Sequence, residues 1–237
     1  MIATIINVFT IILGGLIGVT FGNRIGEKYS KGLMTVIGLI TFTIGIQNVM
    51  VSNNTLVVVI CLVLGTLIGM LLKLDDAINT SGDWLKAKLS RTRLGSGRFG
   101  EAFVTCTILF SVGTMTILGS IQAGLNHDYT ILLTKSIMDF VSCLAFSAAL
   151  GPGAIFACIP VLLVQGSITL LAGVVQPILT TEVVAEMSAV GGAMFLGMSV
   201  NLLGLRQDPV KVGDMLPAIF LPIGYIPLAN LLSGLMG

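Results

Sequence analysis

Eight runs of mainly apolar residues follow one another along the chain, near 2–22, 31–50, 54–73, 100–121, 131–150, 153–175, 182–204 and 213–234. A helix needs about 20 such residues to cross some 30 Å of hydrocarbon, so each run predicts one spanning helix. The expected fold is all-α, a polytopic transmembrane bundle forming one integral domain over residues 1–237. The least secure boundary is Gly151-Pro152-Gly153, where the fifth and sixth runs nearly touch. Proline and glycine together stop a helix and permit a tight turn there. The one sizeable polar stretch is 74–99. Within it Asp83-Trp84-Leu85-Lys86-Ala87-Lys88-Leu89 sets Trp and Leu beside Lys, which predicts a short amphipathic helix along the membrane interface.

Charge placement tests the count independently. With eight spans, the connections after the first, third, fifth and seventh lie on one side. That side receives Arg24, Lys28, Lys31, Lys73, Lys86, Lys88, Arg91, Arg93, Arg98, Arg206 and Lys211, leaving Lys135 as the remaining member of the 12 cations. The positive-inside rule then puts 74–99 in the cytoplasm and both termini outside. Seven spans would move Arg206 and Lys211 across and weaken the asymmetry. The start, Met1-Ile2-Ala3-Thr4, lacks a basic region, the first cation being Arg24, so no cleaved signal peptide is expected.

Composition sharpens this picture. Of 237 residues, 55% are hydrophobic and 10% charged, and the mean hydropathy is +1.03. A soluble domain carries about 25% charged residues, so lipid is the expected partner of much of the surface. A net charge of +1 gives no field for nucleic acid. Cys61, Cys106, Cys143 and Cys158 all lie in apolar runs and are expected to be free and structural. His127 is the single histidine. No His-based metal cage, Ser/His dyad or paired-Asp set is therefore expected within the chain, and neither enzyme activity nor a cofactor is predicted.

Two short motifs reduce to bland readings. Gly95-Ser96-Gly97-Arg98-Phe99-Gly100 satisfies G-x-G-x-x-G, but without a preceding buried strand it reads as a linker. Asn53-Asn54-Thr55 and Asn79-Thr80-Ser81 match the glycosylation sequon beside the membrane and on the predicted inner side, where a chance match is the simpler account.

Glycine says more, with 29 copies concentrated in the spans. Gly14-Gly15-Leu16-Ile17-Gly18 and Gly65-Thr66-Leu67-Ile68-Gly69 repeat a four-residue spacing that lets helices approach closely. They serve either packing within the chain or a homo-oligomer interface. Met34, Gly38, Gly45 and Asn48 in the second run also echo Met187, Gly191, Gly197 and Asn201 in the seventh. Those two spans run in opposite senses, so a true repeat would be inverted, as in many secondary transporters. Accidental matching of glycine-rich helices is the rival account.

Candidate chemistry lies in broken spans and one buried acid. The fourth run carries Ser111-Val112-Gly113-Thr114-Met115-Thr116 at mid-membrane, and Pro217, Pro222, Gly224 and Pro227 crowd the eighth. Freed backbone groups at that depth must face protein or a watery cavity. Asp139 stands mid-span in the fifth run, with Lys135 one turn before it. An intramembrane carboxylate costs about 2.5–3.5 kcal/mol even on insertion scales, so a task is the functional reading. A structural ion pair with a snorkelling Lys135 is the alternative. Gln165, Ser167 and Thr169 in the sixth run, with Ser111, Gly113, Thr114 and Thr116 in the fourth, are placed to reach the same depth. Glu101, Glu182, Glu186 and Asp214 begin spans and read as helix caps.

The words Phe110-Ser111-Val112-Gly113-Thr114-Met115-Thr116-Ile117-Leu118-Gly119-Ser120-Ile121-Gln122-Ala123-Gly124, then Lys135 with Asp139, then Gln165-Gly166-Ser167, resemble the YdfK/YqgA-like family of bacterial inner-membrane proteins. The resemblance implies a protein of the bacterial cytoplasmic membrane and, the family having no established substrate, assigns no residue a role. The expectation from the residues is a secondary transporter or ion-conducting protein for a small solute or cation, with Asp139 binding it and the broken spans lining its path. The alternative is a non-transporting assembly protein that oligomerises through its glycine faces.

Overall fold

The computed structural model describes residues 1–22, 27–78, 80, 98–111 and 113–236. Arg24, Asn79, the stretch Asp83 to Leu89, Arg91, Arg93 and Gly95 to Gly97 lie outside the described residues, and so does Val112.

Helices form where the apolar runs predict them: α1 (Ile2–Gly22), α2 (Glu27–Val49), α3 (Thr55–Leu72), α4 (Phe99–Ser111), α5 (Thr114–Leu125), α6 (Thr130–Leu150), α7 (Cys158–Leu170), α8 (Thr181–Leu202) and α9 (Leu221–Met236). Two 3₁₀ segments, Pro152–Ala157 and Val212–Ile219, lead into α7 and α9, and a single turn, Ala172–Val175, follows α7. Among the described residues, counting α7 together with its 3₁₀ lead, five helices are long and apolar enough to cross a membrane, and up to seven if each bent pair is one span. In α2 the apolar part is shorter, Met34–Val49.

The breaks have local causes. α4 and α5 meet at 52°, where Gly113 adopts φ 150 at the start of α5, a conformation that favours glycine. α4 begins with Phe99 against Gly153, and α5 ends with Gly124 against Thr169. The fourth run thus travels the length of the sixth instead of folding back. It continues to Leu125, four residues beyond the predicted end. Val212–Ile219 and α9 meet at 41°, because Pro222 supplies no donor to the preceding turn and its ring crowds it. At the doubtful fifth boundary Gly151 takes φ 99, and the chain reverses: Ile155 packs on Gly15 while Gln165 reaches back to Asn7.

Three helix pairs organise the bundle. α1 runs parallel to α6, where β-carbons on Gly14, Gly18 and Gly22 would stand 2.5, 2.3 and 2.4 Å from the carbonyl oxygens of Phe140, Leu144 and Ala148. α2 runs antiparallel to α8, meeting it through Gly45 and Gly192. α3 runs antiparallel to Val212–Ile219, with Gly65 on Ala218 and Gly69 on Asp214. Of the two uses offered above for the glycine words, packing within the chain is the one Gly14, Gly15, Gly18, Gly65 and Gly69 serve. The echoed second and seventh runs are the ones that pack together: Gly192 meets Gly45, Asn48 and Val49, whereas Gly197 faces Val210 and Val212.

α8 is buried along most of its length, with Val183, Met194 and Phe195 in the main core. α1, α2 and α3 turn Ile5, Phe9, Leu39, Leu67 and Leu71 outward. An apolar exterior of this kind suits lipid.

Three of the four acids expected as caps serve groups other than the start of their own helices. Glu186, buried on α8, accepts from Ser52 Oγ (2.7 Å) and from the backbone N–H of Asn53 (2.9 Å) and Asn54 (3.1 Å). It thereby serves the entry to α3 and not its own helix. Asp214 Oδ1 accepts from Asp75 N–H while Asp75 Oδ1 accepts from Gly213 N–H, both at 3.0 Å. Glu101 pairs with Arg98.

Candidate functional site

Near the middle of α6, Lys135 and Asp139 lie one turn apart on the face turned to α1, α4 and α7. Their side chains form a buried ion pair. Asn7 on α1 donates Nδ2 to the same Asp139 oxygen, Oδ2, at 2.9 Å, and to Gln165 Oε1 on α7 at 3.3 Å. Three helices thus place one carboxylate, one ammonium and two amides together. Asn7 and Gln165 have 0% exposure, and Asp139 and Lys135 have 5% and 6%. A charge so enclosed must be paired and hydrogen-bonded to persist.

The fourth run closes the site on the side of its break. Lys135 Nζ stands 5.7 Å from the centroid of the Phe110 ring, in the last turn of α4, where a helix end favours a cation. Across the break Thr116 Oγ1 donates to the Phe110 carbonyl at 3.1 Å, taking up an acceptor that the interrupted helix frees. Ser111 Oγ is buried without a partner.

A layer of unspent polar groups adjoins this cluster. Gln165 Nε2, Thr169 Oγ1, Thr4 Oγ1 and Ser120 Oγ are all buried without hydrogen-bond partners. Thr169 is one turn beyond Gln165, Thr4 one turn beyond Asn7, and Ser120 one turn beyond Thr116, each in the direction of the Met1 end. Beyond them Ala3, Ala123 and Leu132, with Tyr129 against them, form an apolar cluster separate from the main core.

Of the predicted site residues, Lys135, Asp139 and Gln165 meet, and Ser111, Gly113 and Thr116 shape the adjoining break. Thr114 is half-buried beside them. Ser167 does not join: it is exposed, and its hydroxyl returns to the Val164 carbonyl at 3.1 Å. Nor does the second broken span. Pro217 and Pro222 belong to the segments packed on α3 and α8, while Gly224 and Pro227 are exposed. The expectation that both broken spans line one path is corrected, since the break at α9 lies against a different pair of helices. Asn7 was missed; its signal was an amide inside an otherwise apolar span.

A separate polar cleft of about 480 Å³ opens at the Lys211 end, lined by Asp75, Asp76, Arg98, Glu101, Asn201 and Lys211 among others. Lys211 pairs with Asp76 at 3.0 Å, and that carboxylate raises the lysine above its ordinary value. With Arg98 paired to Glu101, this cleft holds ion pairs at its mouth and is remote from Asp139. Among the described residues no group of three or more His, Cys, Asp or Glu is placed to hold a metal ion.

Comparison with known proteins places this arrangement in a family. A family model described as "Protein of unknown function (DUF554)" matches residues 2–226. The chain is 30% identical over 223 residues to "Uncharacterized protein YqgA" of Escherichia coli (strain K12), covering 93% of this chain and 94% of that one. It is 30% identical over 226 residues to "Uncharacterized membrane protein YdfK" of Bacillus subtilis (strain 168), covering 94% of each. The resemblance read from the fourth, fifth and sixth runs is thus shown over nearly the whole length. No solved structure matches the chain.

Proposed function

Because the chain belongs to the DUF554 family, whose function is unknown, its activity must be argued from its site, and we propose a secondary transporter or ion-conducting protein in which Asp139 binds a small cation or proton. That it is a membrane protein follows from its apolar helices and its membrane relative. The observation that carries the proposal is the buried cluster itself. Asn7, Lys135, Asp139 and Gln165 draw charged and polar groups from three helices to mid-span, next to an interrupted helix. Purely structural packing would be served as well by apolar residues of the same volume, and intramembrane ionisable groups characteristically mark ion pathways.

Eight spans in a bacterial cytoplasmic membrane, with both termini outside, are part of this reading. The packing directions support it. The first and fifth spans run parallel, whereas the second and seventh, and the third and eighth, run antiparallel, as strict alternation over eight crossings requires. The mean path of each bent pair then counts as one crossing. An inverted repeat relating the second and seventh spans would fit the same alternation.

The test is flux into proteoliposomes loaded with a pH dye, under cation gradients, with wild type beside Asp139→Asn. Flux in the wild type that disappears in the variant supports the reading. Equal flux in both removes Asp139 from the path. The assembly reading gains nothing from the glycine faces, which are covered within the chain.

A further inference from the structure

The charge arithmetic of the site restricts what it can exchange. Among the described residues, the full charges acting on Asp139 and Lys135 are each other's. The neighbours from α1 and α7 are the neutral amides of Asn7 and Gln165, and from α4 the ring of Phe110. The thiols of Cys106 on α4 and Cys143 on α6 are the other titratable groups close enough to act on the carboxylate. The site is net neutral and shielded from water. A cation added to it, with the pair intact, would leave one uncompensated charge in a low dielectric, which is prohibitively costly.

We propose that Asp139 takes one monovalent alkali cation in exchange for one proton, with Lys135 as the group that gives the proton up. The balanced step is simple. A cation replaces the lysine ammonium at the carboxylate, the ammonium N–H bond breaks, its electron pair stays on Nζ, and the proton leaves to water. Net charge in the site is the same before and after. A lysine deprived of its counter-ion in an apolar setting releases its proton readily. Lys135 thus acts as a tethered stand-in for the cargo.

The ligand set points to a hard, singly charged ion. One carboxylate is present, whereas calcium sites usually gather several, and the grouping of soft or nitrogen ligands that transition metals need is not found among the described residues. Neutral oxygens are supplied by the Asn7 and Gln165 amides, which can turn over to present Oδ1 or Oε1. The unpartnered hydroxyls of Thr4 and Thr169 lie one turn further along. Gln165 Nε2 is unpartnered at 0% exposure, a buried donor whose hydrogen-bonding capacity is unspent.

This inference rests on Asp139 being the binding site, as in the transport reading, but not on movement across the membrane. Purified full-length protein in detergent, weakly buffered with a pH dye, is titrated with NaCl, LiCl, KCl or choline chloride. Sodium or lithium should release about one proton per chain on saturation, and choline none. The thermal midpoint should rise with the same cation, with an apparent affinity that increases up to about tenfold per pH unit where Lys135 is charged. Lys135→Gln leaves the carboxyl buried without a counter-ion, so it holds a proton itself, and cation binding should release that proton instead; Asp139→Asn should lose both cation stabilisation and release. No alkali-specific release from folded wild type, or pH-independent stabilisation, overturns the exchange. Wild type should show no protonated-carboxyl infrared band with or without cation, whereas Lys135→Gln should show one that cation removes; such a band in wild type, lost on cation addition, overturns the role of Lys135. Release without vesicle flux keeps the exchange site and sinks the transporter; flux without release does the reverse.

Discussion

Asp139 receives two donors on a single carboxylate oxygen, from Lys135 and Asn7, so its loss strands both. Asp139→Asn leaves Lys135 buried without its counter-ion, to stay charged unpaired or to give up its proton, and should cost about 3–5 kcal/mol, read as a lowered unfolding midpoint in detergent. Removing both charges together, as Lys135→Met with Asp139→Leu, should cost much less than the two single losses added. A double-mutant cycle measures that coupling. Glu186→Gln weakens charge-assisted bonds to Ser52, Asn53 and Asn54 and should destabilise by about 1–3 kcal/mol. At this scale Asp139 and Lys135 were legible because a charge inside an apolar run is conspicuous. Ser167 was misplaced because two residues turn a helix face through about 200°, so it points away from the face shared by Gln165 and Thr169. Asn7 was overlooked because an amide costs less than a charge and disturbs the hydropathy of its span too little to be noticed.

The helices join by close backbone contact, and their tolerance of added volume should follow it position by position. A β-carbon on Gly69 would stand 1.8 Å from the Asp214 carbonyl oxygen, a backbone atom, whereas one on Gly173 meets nothing within 4 Å. Gly69→Ala should therefore cost about 1–3 kcal/mol or more through overpacking. Gly173→Ala, in a helical turn, should be neutral or stabilising by up to about 1 kcal/mol. Paired thermal-unfolding curves decide between these signs. The loop before α6 adds a pH dependence. Thr130 N–H donates to Asp128 Oδ1 at 3.0 Å, which holds that exposed carboxyl below its ordinary value. Its contribution is complete above the ordinary carboxylate range and is lost as pH falls through the depressed value. Asp128→Asn should remove that part of the acid dependence of the midpoint. Helix boundaries were legible to within a few residues because apolar length is a strong signal. The partners of the glycine words were not, since small residues announce a close approach without saying to what.

The bundle as a whole sets the Met1 end, with Asn53 and Asp128, against the Lys211 end, with Asp76 and Arg98. With eight crossings, an impermeant maleimide added outside intact cells should label Asn53→Cys and Asp128→Cys, and should spare Asp76→Cys and Lys211→Cys. The unsubstituted protein gives the background from its own thiols, and the opposite pattern would reverse the orientation. The orientation itself rests on the charge asymmetry of the sequence, and the labelling pattern tests it. The three pairings were not legible in the sequence, because hydropathy reports depth and carries no information about neighbours.

Those pairings share one measure. Asn7 meets Asp139 132 residues later, Ser52 meets Glu186 134 later, and Asp75 meets Asp214 139 later. At a synthesis rate of about 5–20 residues per second, each early segment waits on the order of ten seconds for the side chain that completes it. During that wait the nascent amino-terminal half lies in lipid with its glycine faces bare and Asn7 unanswered. Biogenesis of this protein therefore depends on keeping that half from premature partners until the ribosome has delivered the other.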